Sequence, residues 1–257
     1  MKYLLICSAA FLTSGLTLFS GFGLGTLLLP VFAIFFSMEV AVGLTAVVHF
    51  LNNLFKLALV GRHADRQVVW RLGAPAILAS FLGAWLLVWL ADTAPLAHYQ
   101  AFGRDMYVTP VKLAVGVLMI LFALLEVVPG LEKLSFDRKY LPLGGLLTGF
   151  FGGVSGHQGA LRSAFLVRCG LSKEAFIGTG VVVACLVDLA RLGVYAAKFP
   201  AAELRVNAAL LTAASVSAFL GAWVGSRLIH KVTMRAVQWA VAMMLFVIAV
   251  GLASGII

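Results

Sequence analysis

Long apolar runs separated by short polar connections fill the chain from end to end. They cover residues 3–20, 24–37, 40–60, 73–91, 108–128, 141–154, 157–168, 174–197, 206–229 and 235–255. Six of these runs are about 19–24 residues long, enough to cross a hydrocarbon layer of about 30 Å at 1.5 Å per helical residue. The other four form two pairs, 3–20 with 24–37 and 141–154 with 157–168, each interrupted by a glycine cluster. The pieces of the second pair reach only about 20 Å. Such pieces suit a re-entrant hairpin or one discontinuous helix.

The pattern repeats. FLGAW occurs at 81–85 and again at 219–223, and VLMILF at 117–122 matches VAMMLF at 241–246. GLTAVVHFLNNLFKLALV at 43–60 aligns without gaps on GTGVVVACLVDLARLGVY at 178–195, which sets Asn53 on Asp188 and Lys56 on Arg191. The reading is a single transmembrane domain over 1–257, with repeat 1 at 1–128 and repeat 2 at 141–257. If each broken pair is one span, the copies are parallel and the basic residues are evenly divided between the two sides. If each pair is a re-entrant hairpin, the second copy is inverted, and eleven loop Lys and Arg face one side against five on the other. That asymmetry is a positive-inside signal. The expected fold is therefore all-α: a polytopic helical membrane protein of two inverted repeats, each a broken-helix hairpin plus three transmembrane helices. Both termini are expected on the periplasmic side of a bacterial inner membrane.

Composition narrows the class further. The 257 residues are 62% hydrophobic and 11% charged, with a mean hydropathy of +1.06, whereas soluble domains are about a quarter charged. The net charge of +9 is what basic membrane loops produce, and its scatter between apolar runs does not point to nucleic acid. Cys7, Cys169 and Cys185 lack metal spacing and read as small apolar residues. Lys2 ahead of an apolar run resembles a signal peptide. The run continues to Phe36 without a convincing cleavage site, and Ile6 spoils a lipidation box at Cys7. No cofactor or metal is expected. The expected partners are a small anion and the lipid bilayer, with a homo-oligomer compatible.

Polar residues inside the apolar runs carry the candidate chemistry. Of nineteen Lys and Arg, sixteen are assigned to loops and run ends (Lys112, Arg168, Arg227 and Arg235 among the latter), which leaves Lys56, Arg162 and Arg191 within apolar segments, and Asp188 alone among the acids lies near the middle of one. A charge at bilayer depth costs at least ~2.5–3.5 kcal/mol on insertion scales, so each needs a reason. The stretch 149–169, GFFGGVSGHQGALRSAFLVRC, sets Ser155, Gly156, His157, Gln158, Gly159 and Arg162 in one break. Gly21, Gly23 and Gly25 form a milder break at 20–30. In an inverted repeat these breaks meet near the midplane, where helix N-termini offer unpaired N–H groups to an anion. Close helix packing is the competing use of such glycines. His157 is either an interhelical hydrogen bonder or, with Gln158 and Arg162, a cavity donor or proton carrier. Asp188 and Arg191 share a helix face at i and i+3, as a structural pair or as a gate. Lys56, four residues from Gly61, can snorkel to the cytoplasmic interface or join the gate. Asn53 is expected to line the cavity because it matches Asp188. His49 is expected either to pack or to take part in gating.

These residues carry a resemblance. Two copies of a hydrophobic unit, opening with SGFGLGTLLLP or GGVSGHQGALR and later carrying FLGAW, resemble the TauE/SafE sulfite exporter family over nearly the whole chain. The resemblance implies a secondary transporter, a probable exporter by family habit, of sulfite, sulfonates, sulfoacetate or related small organic anions. The first break is GFGLG with Pro30, and the second is HQGALR without proline, a departure that bears on the substrate.

Two other classes compete. GVSG at 153–156 matches a rhomboid protease motif, and His49 with Asn53 has the matching spacing. That chemistry needs a later histidine to activate the serine, and the only one beyond 157 is His230, beside Lys231 at a membrane edge. A passive anion channel would use the same residues as a carrier. No enzymatic activity is expected.

Overall fold

Nearly every apolar run becomes a helix. The computed structural model describes residues 1–20, 24–101, 103–128, 130, 134–198, 205–228 and 234–256. Gly21, Gly23 and His230 therefore lie outside the described residues. Ten helices are formed among those described: α1 (Lys2–Ser20), α2 (Leu24–Ala33), α3 (Met38–Val60), α4 (Arg66–Ala91), α5 (Pro110–Val127), α6 (Leu141–Ser155), α7 (Gly159–Leu166), α8 (Lys173–Lys198), α9 (Ala208–Leu228) and α10 (Met234–Ala253). The chain is an all-α, multi-pass membrane protein.

Local chemistry sets several boundaries. Asp65 caps α4 by accepting the Val68 N–H at 2.9 Å, and Thr109 caps α5 ahead of Pro110, where the missing proline N–H costs nothing. Helix α6 stops at Gly156, whose φ of +80° suits glycine alone. Four stretches are long and apolar enough to span: Met38–His63, Arg66–Ala91, Lys173–Lys198 and Ala208–Gly225. The two other expected spans, α5 and α10, are apolar over the shorter stretches Pro110–Leu125 and Ala242–Ala253.

Two departures from expectation stand out. Helix α7 has only 8 residues and reaches about 12 Å, shorter than the run at 157–168, whereas α1, at 19 residues, matches the run at 3–20. Between α4 and α5 the chain forms an antiparallel hairpin, β1 (Ala97–Ala101) with β2 (Arg104–Val108), pairing His98 with Tyr107 and Gln100 with Asp105. The Tyr99 hydroxyl donates to the Ser254 carbonyl beyond α10, which ties the hairpin to the end of the chain. There Gln100 and then His98 hydrogen-bond to Asp105 and hold its carboxyl below the usual range.

Packing pairs come in twos. Helix α4 runs along α6 and α9 along α1; α4 also meets α8, and α9 meets α3; α3 packs on α8, and α5 on α10. The first two crossings are backbone against backbone. A Cβ on Gly145, Gly149 or Gly153 of α6 would collide with the carbonyl oxygens of Leu72, Ala76 or Ser80 on α4, and one on Gly221 of α9 with the Phe11 carbonyl on α1. Small residues at such spacing let membrane helices approach closely. The repeated FLGAW does the same task twice. Gly83 and Ala84, like Gly221 and Ala222, are buried at these crossings, whereas Leu82, Trp85, Leu220 and Trp223 are exposed, as side chains facing lipid are.

Candidate functional site

Every acid-to-base contact at the centre converges on Asp188, halfway along α8. Its face is set by helical period, since Asp188, Arg191 and Tyr195 at i, i+3 and i+7 point the same way. Helix α3 supplies the facing side with His49, Asn53 and Lys56 at i, i+4 and i+7. Asp188 Oδ2 receives Asn53 Nδ2 at 2.9 Å and lies 2.6 Å from His49 Nδ1. Two acceptors at 2.6 Å would repel, so that imidazole nitrogen carries a hydrogen and donates it. Arg191 donates Nε to Asp188 Oδ1 at 3.0 Å, brings Nη2 to 2.8 Å, and reaches the Gly152 carbonyl with Nη1 at 3.5 Å. The Tyr195 hydroxyl donates to the Gly153 carbonyl. The carboxylate is thus held by donors from both faces, and α6 is bound to α8 through its own carbonyls.

The break between α6 and α7 lies against this cluster. Gln158 donates Nε2 to Asp188 Oδ1 at 3.4 Å and accepts Arg162 Nη1 on Oε1 at 3.3 Å, so one neutral amide links the guanidinium to the carboxylate. Gln158 is also the N-cap position of α7, whose first-turn N–H groups have no partner within the helix. A Cβ on Gly156 would lie 2.7 Å from Arg191 Nη1; one on Gly25 would lie 3.3 Å from the Gly156 carbonyl oxygen and 3.7 Å from His49 Cδ2. The start of α2 therefore abuts the α6–α7 break. Gly159 opens α7 and is buried.

His157 donates or accepts at Ser155 Oγ over 3.0 Å, and Ser155 Oγ reaches the Phe151 carbonyl at 3.2 Å. The hydroxyl has one hydrogen, so donating it to Phe151 makes His157 Nδ1 the donor to Ser155. Nε2 is then a bare acceptor, buried without a partner, and the ring stacks on Phe122 at 5.5 Å. A serine whose hydrogen is already given to a carbonyl is a poor nucleophile. Ser155, His157, Gln158, Asp188 and Arg191 are all at most 1% exposed, so the centre is closed in this conformation.

Of the expected residues, His49, Asn53, Gln158, Asp188 and Arg191 are in mutual contact, with Arg162 joined through Gln158. Lys56 does not run out to an interface: it is 5% exposed. Two participants escaped sequence reasoning, Tyr195 and Ser80, whose hydroxyl donates to the Val187 carbonyl at 3.0 Å. Tyr195 could have been found by extending the Asp188–Arg191 face one more turn; Ser80 gave no signal among the small residues of α4.

Comparison with known proteins gives one match. The family model described as Sulfite exporter TauE/SafE covers residues 6–252. No curated protein matches the chain, and no solved structure does.

Proposed function

The chain belongs to the TauE/SafE sulfite exporter family, and from that premise we propose that it carries a small anion between the tips of its two broken helix pairs, exporting it across the bacterial inner membrane. Sulfite, a sulfonate, sulfoacetate or a related organic anion is the intended cargo. The main countercharge is Arg162, with His157, Gln158 and the first-turn N–H groups of α7 around it. The carrying observation is the partner of Arg162: a neutral amide, Gln158, at 3.3 Å. A membrane-embedded guanidinium wants an opposite charge, and Asp188 is already engaged by Arg191 and His49. An anion that arrives and leaves supplies that charge transiently.

The inverted repeat belongs to the same reading. It is supported by packing pairs that exchange into one another when α1 is renamed α6, α3 renamed α8 and α4 renamed α9. Asn53 and Asp188, equivalent by sequence register, touch each other as residues beside a two-fold axis do. With both termini periplasmic, a reporter fused to the C-terminus reads out periplasmic; a cytoplasmic reading overturns the topology.

Binding is tested by thermal shift of the purified protein against sulfite, sulfoacetate, taurine, thiosulfate and simple carboxylates. Arg162→Lys weakens the best hit because a point charge replaces a planar fork, and Arg162→Gln lowers affinity by about tenfold or more. Unchanged affinity in Arg162→Gln places the site elsewhere. The closed centre favours a carrier over a passive channel, and radiolabelled counterflow separates them: a carrier shows trans-stimulation.

A further inference from the structure

Lys56 is the cation that the Asp188 cluster leaves over. Among the described residues, Asp188 is the one buried acid. Arg191 stands beside it and Arg162 reaches it through Gln158, while Lys56 lies three residues beyond Asn53 on the same face of α3. Arg191 is paired with the carboxylate, Arg162 has the Gln158 amide, and Lys56 makes no hydrogen bond or ion pair with any described residue while being 5% exposed.

Its position follows from how α3 lies on α8. Asn53 touches Asp188, and a Cβ on Gly178 would lie 2.7 Å from the Val60 carbonyl oxygen. Moving forward along α3 therefore means moving backward along α8: the helices are antiparallel here. Lys56 falls between those two levels on α3. Gly180 falls between the same levels on α8, and a Cβ there would lie 3.3 Å from Arg162 Nε. Lys56 and Arg162 thus approach one band of α8 from different helices. Two like charges brought together in a low-dielectric place destabilise the empty protein. The cost is removed when something doubly negative sits between them.

Resting on the reading of Arg162 as the main countercharge, we propose that Lys56 is a second substrate ligand that selects a dianion: one oxyanion group taken by the Arg162 fork, and the other charge, on the same or a neighbouring group, taken by the Lys56 ammonium. One ligand then comes from each half of the chain. A monoanion of the same shape satisfies Arg162 and leaves Lys56 unbalanced, so it binds less tightly. The Lys56 ammonium acts as a point charge, which tolerates different spacings between the two negative groups.

The test compares probes that differ in charge. Calorimetry on the purified full chain measures sulfoacetate against methanesulfonate, and malonate against acetate, in the parent, Lys56→Met, Lys56→Arg and Arg162→Gln. The parent is expected to prefer each dianion by about tenfold or more, the scale of one charge-assisted contact. In Lys56→Met that preference collapses while monoanion affinity stays within about twofold, and Lys56→Arg retains it. Lys56→Met also melts at a higher temperature when empty, since an unbalanced buried charge has been removed, which separates a ligand role from a structural one. Equal parent affinity for monoanion and dianion, or equal weakening of both by Lys56→Met, overturns the assignment of Lys56 while leaving Arg162 standing. Unchanged affinities in Arg162→Gln, or no binding of any of the four probes, overturn both.

Discussion

In the proposed repeat, helices α2 and α3 of the first half correspond in order to α7 and α8 of the second, yet the two pairs are made of different material. Nine of the ten residues of α2 are buried, and all of them are apolar or small apart from Thr26. In α7 only Gly159, Phe165 and Leu166 are buried, and Arg162 projects from it. On α3 the register position matching Asp188 is Asn53, neutral where its counterpart is charged. The first pair is built mainly of apolar and small residues, and the second holds Arg162, Asp188 and Arg191. Lys56, at the register position of Arg191, is the exception: a buried cation that pairs with no acid among the described residues. Similar architecture in two halves does not require equal chemistry: a site for an anion needs an excess of one sign, which two identical polar halves joined by their own ion pairs would cancel.

The largest effect is expected from equalising Asn53 and Asp188. Asp188→Asn keeps the shape but leaves Arg191 buried without its countercharge; stability should fall by about 3–5 kcal/mol, the cost of breaking a buried pair. Asn53→Ala removes one donor from the same carboxylate, which keeps its bonds to His49, Arg191 and Gln158, and should cost about 1–2 kcal/mol. Chemical denaturation of the empty proteins measures both, and a smaller loss in Asp188→Asn than in Asn53→Ala would end the division of labour argued above.

Next come the glycines at the two breaks. Gly156→Ala forces a side chain into the left-handed region and 2.7 Å from Arg191, for a loss of about 2–4 kcal/mol. Gly25→Ala meets the Gly156 carbonyl at 3.3 Å and His49 Cδ2 at an ordinary 3.7 Å, and should cost under about 1 kcal/mol. Thermal melts rank the two; equal melting temperatures would mean that the breaks bear equal strain.

The smallest effect lies outside both helix pairs, in the β-hairpin of the first half. Hydrogen bonds from Gln100 and His98 depress the Asp105 carboxyl in the folded protein. Its contribution is present above the unfolded carboxylate range and lost as pH falls through the folded value. Asp105→Asn should therefore flatten slightly the acid limb of the melting-temperature profile and leave neutral pH nearly unchanged, since the group is exposed. An equal shift at all pH values would contradict this account.

What could be read without a structure followed cost. His49, Asn53, Gln158, Asp188 and Arg191 were legible because polar groups inside apolar runs are expensive and must find one another. Tyr195 was not, since an aromatic ring in an apolar run needs no excuse, and its hydroxyl partner is a carbonyl on another helix. The burial of Lys56 was hidden because distance along the helix to Gly61 says nothing about which neighbour covers it. The hairpin escaped because ten residues of mixed polarity between long apolar runs look like any loop. The glycines at 145, 149 and 153 meet the backbone of α4, and the choice of α4 as their partner is set by the assembled bundle, not by any local pattern.

That choice of partner has a mechanical consequence. The α4–α6 and α1–α9 crossings each clasp a helix of the first half to a helix of the second, with carbonyls in the position where side chains would otherwise slide. Such seams have no soft layer to shear. Rocking one sequence half against the other would have to tear both clasps open at once. A transport cycle that kept both clasps would move chimeras, one built on α4 with α6 and the other on α1 with α9, about a joint through α3 and α8, where Asp188 sits.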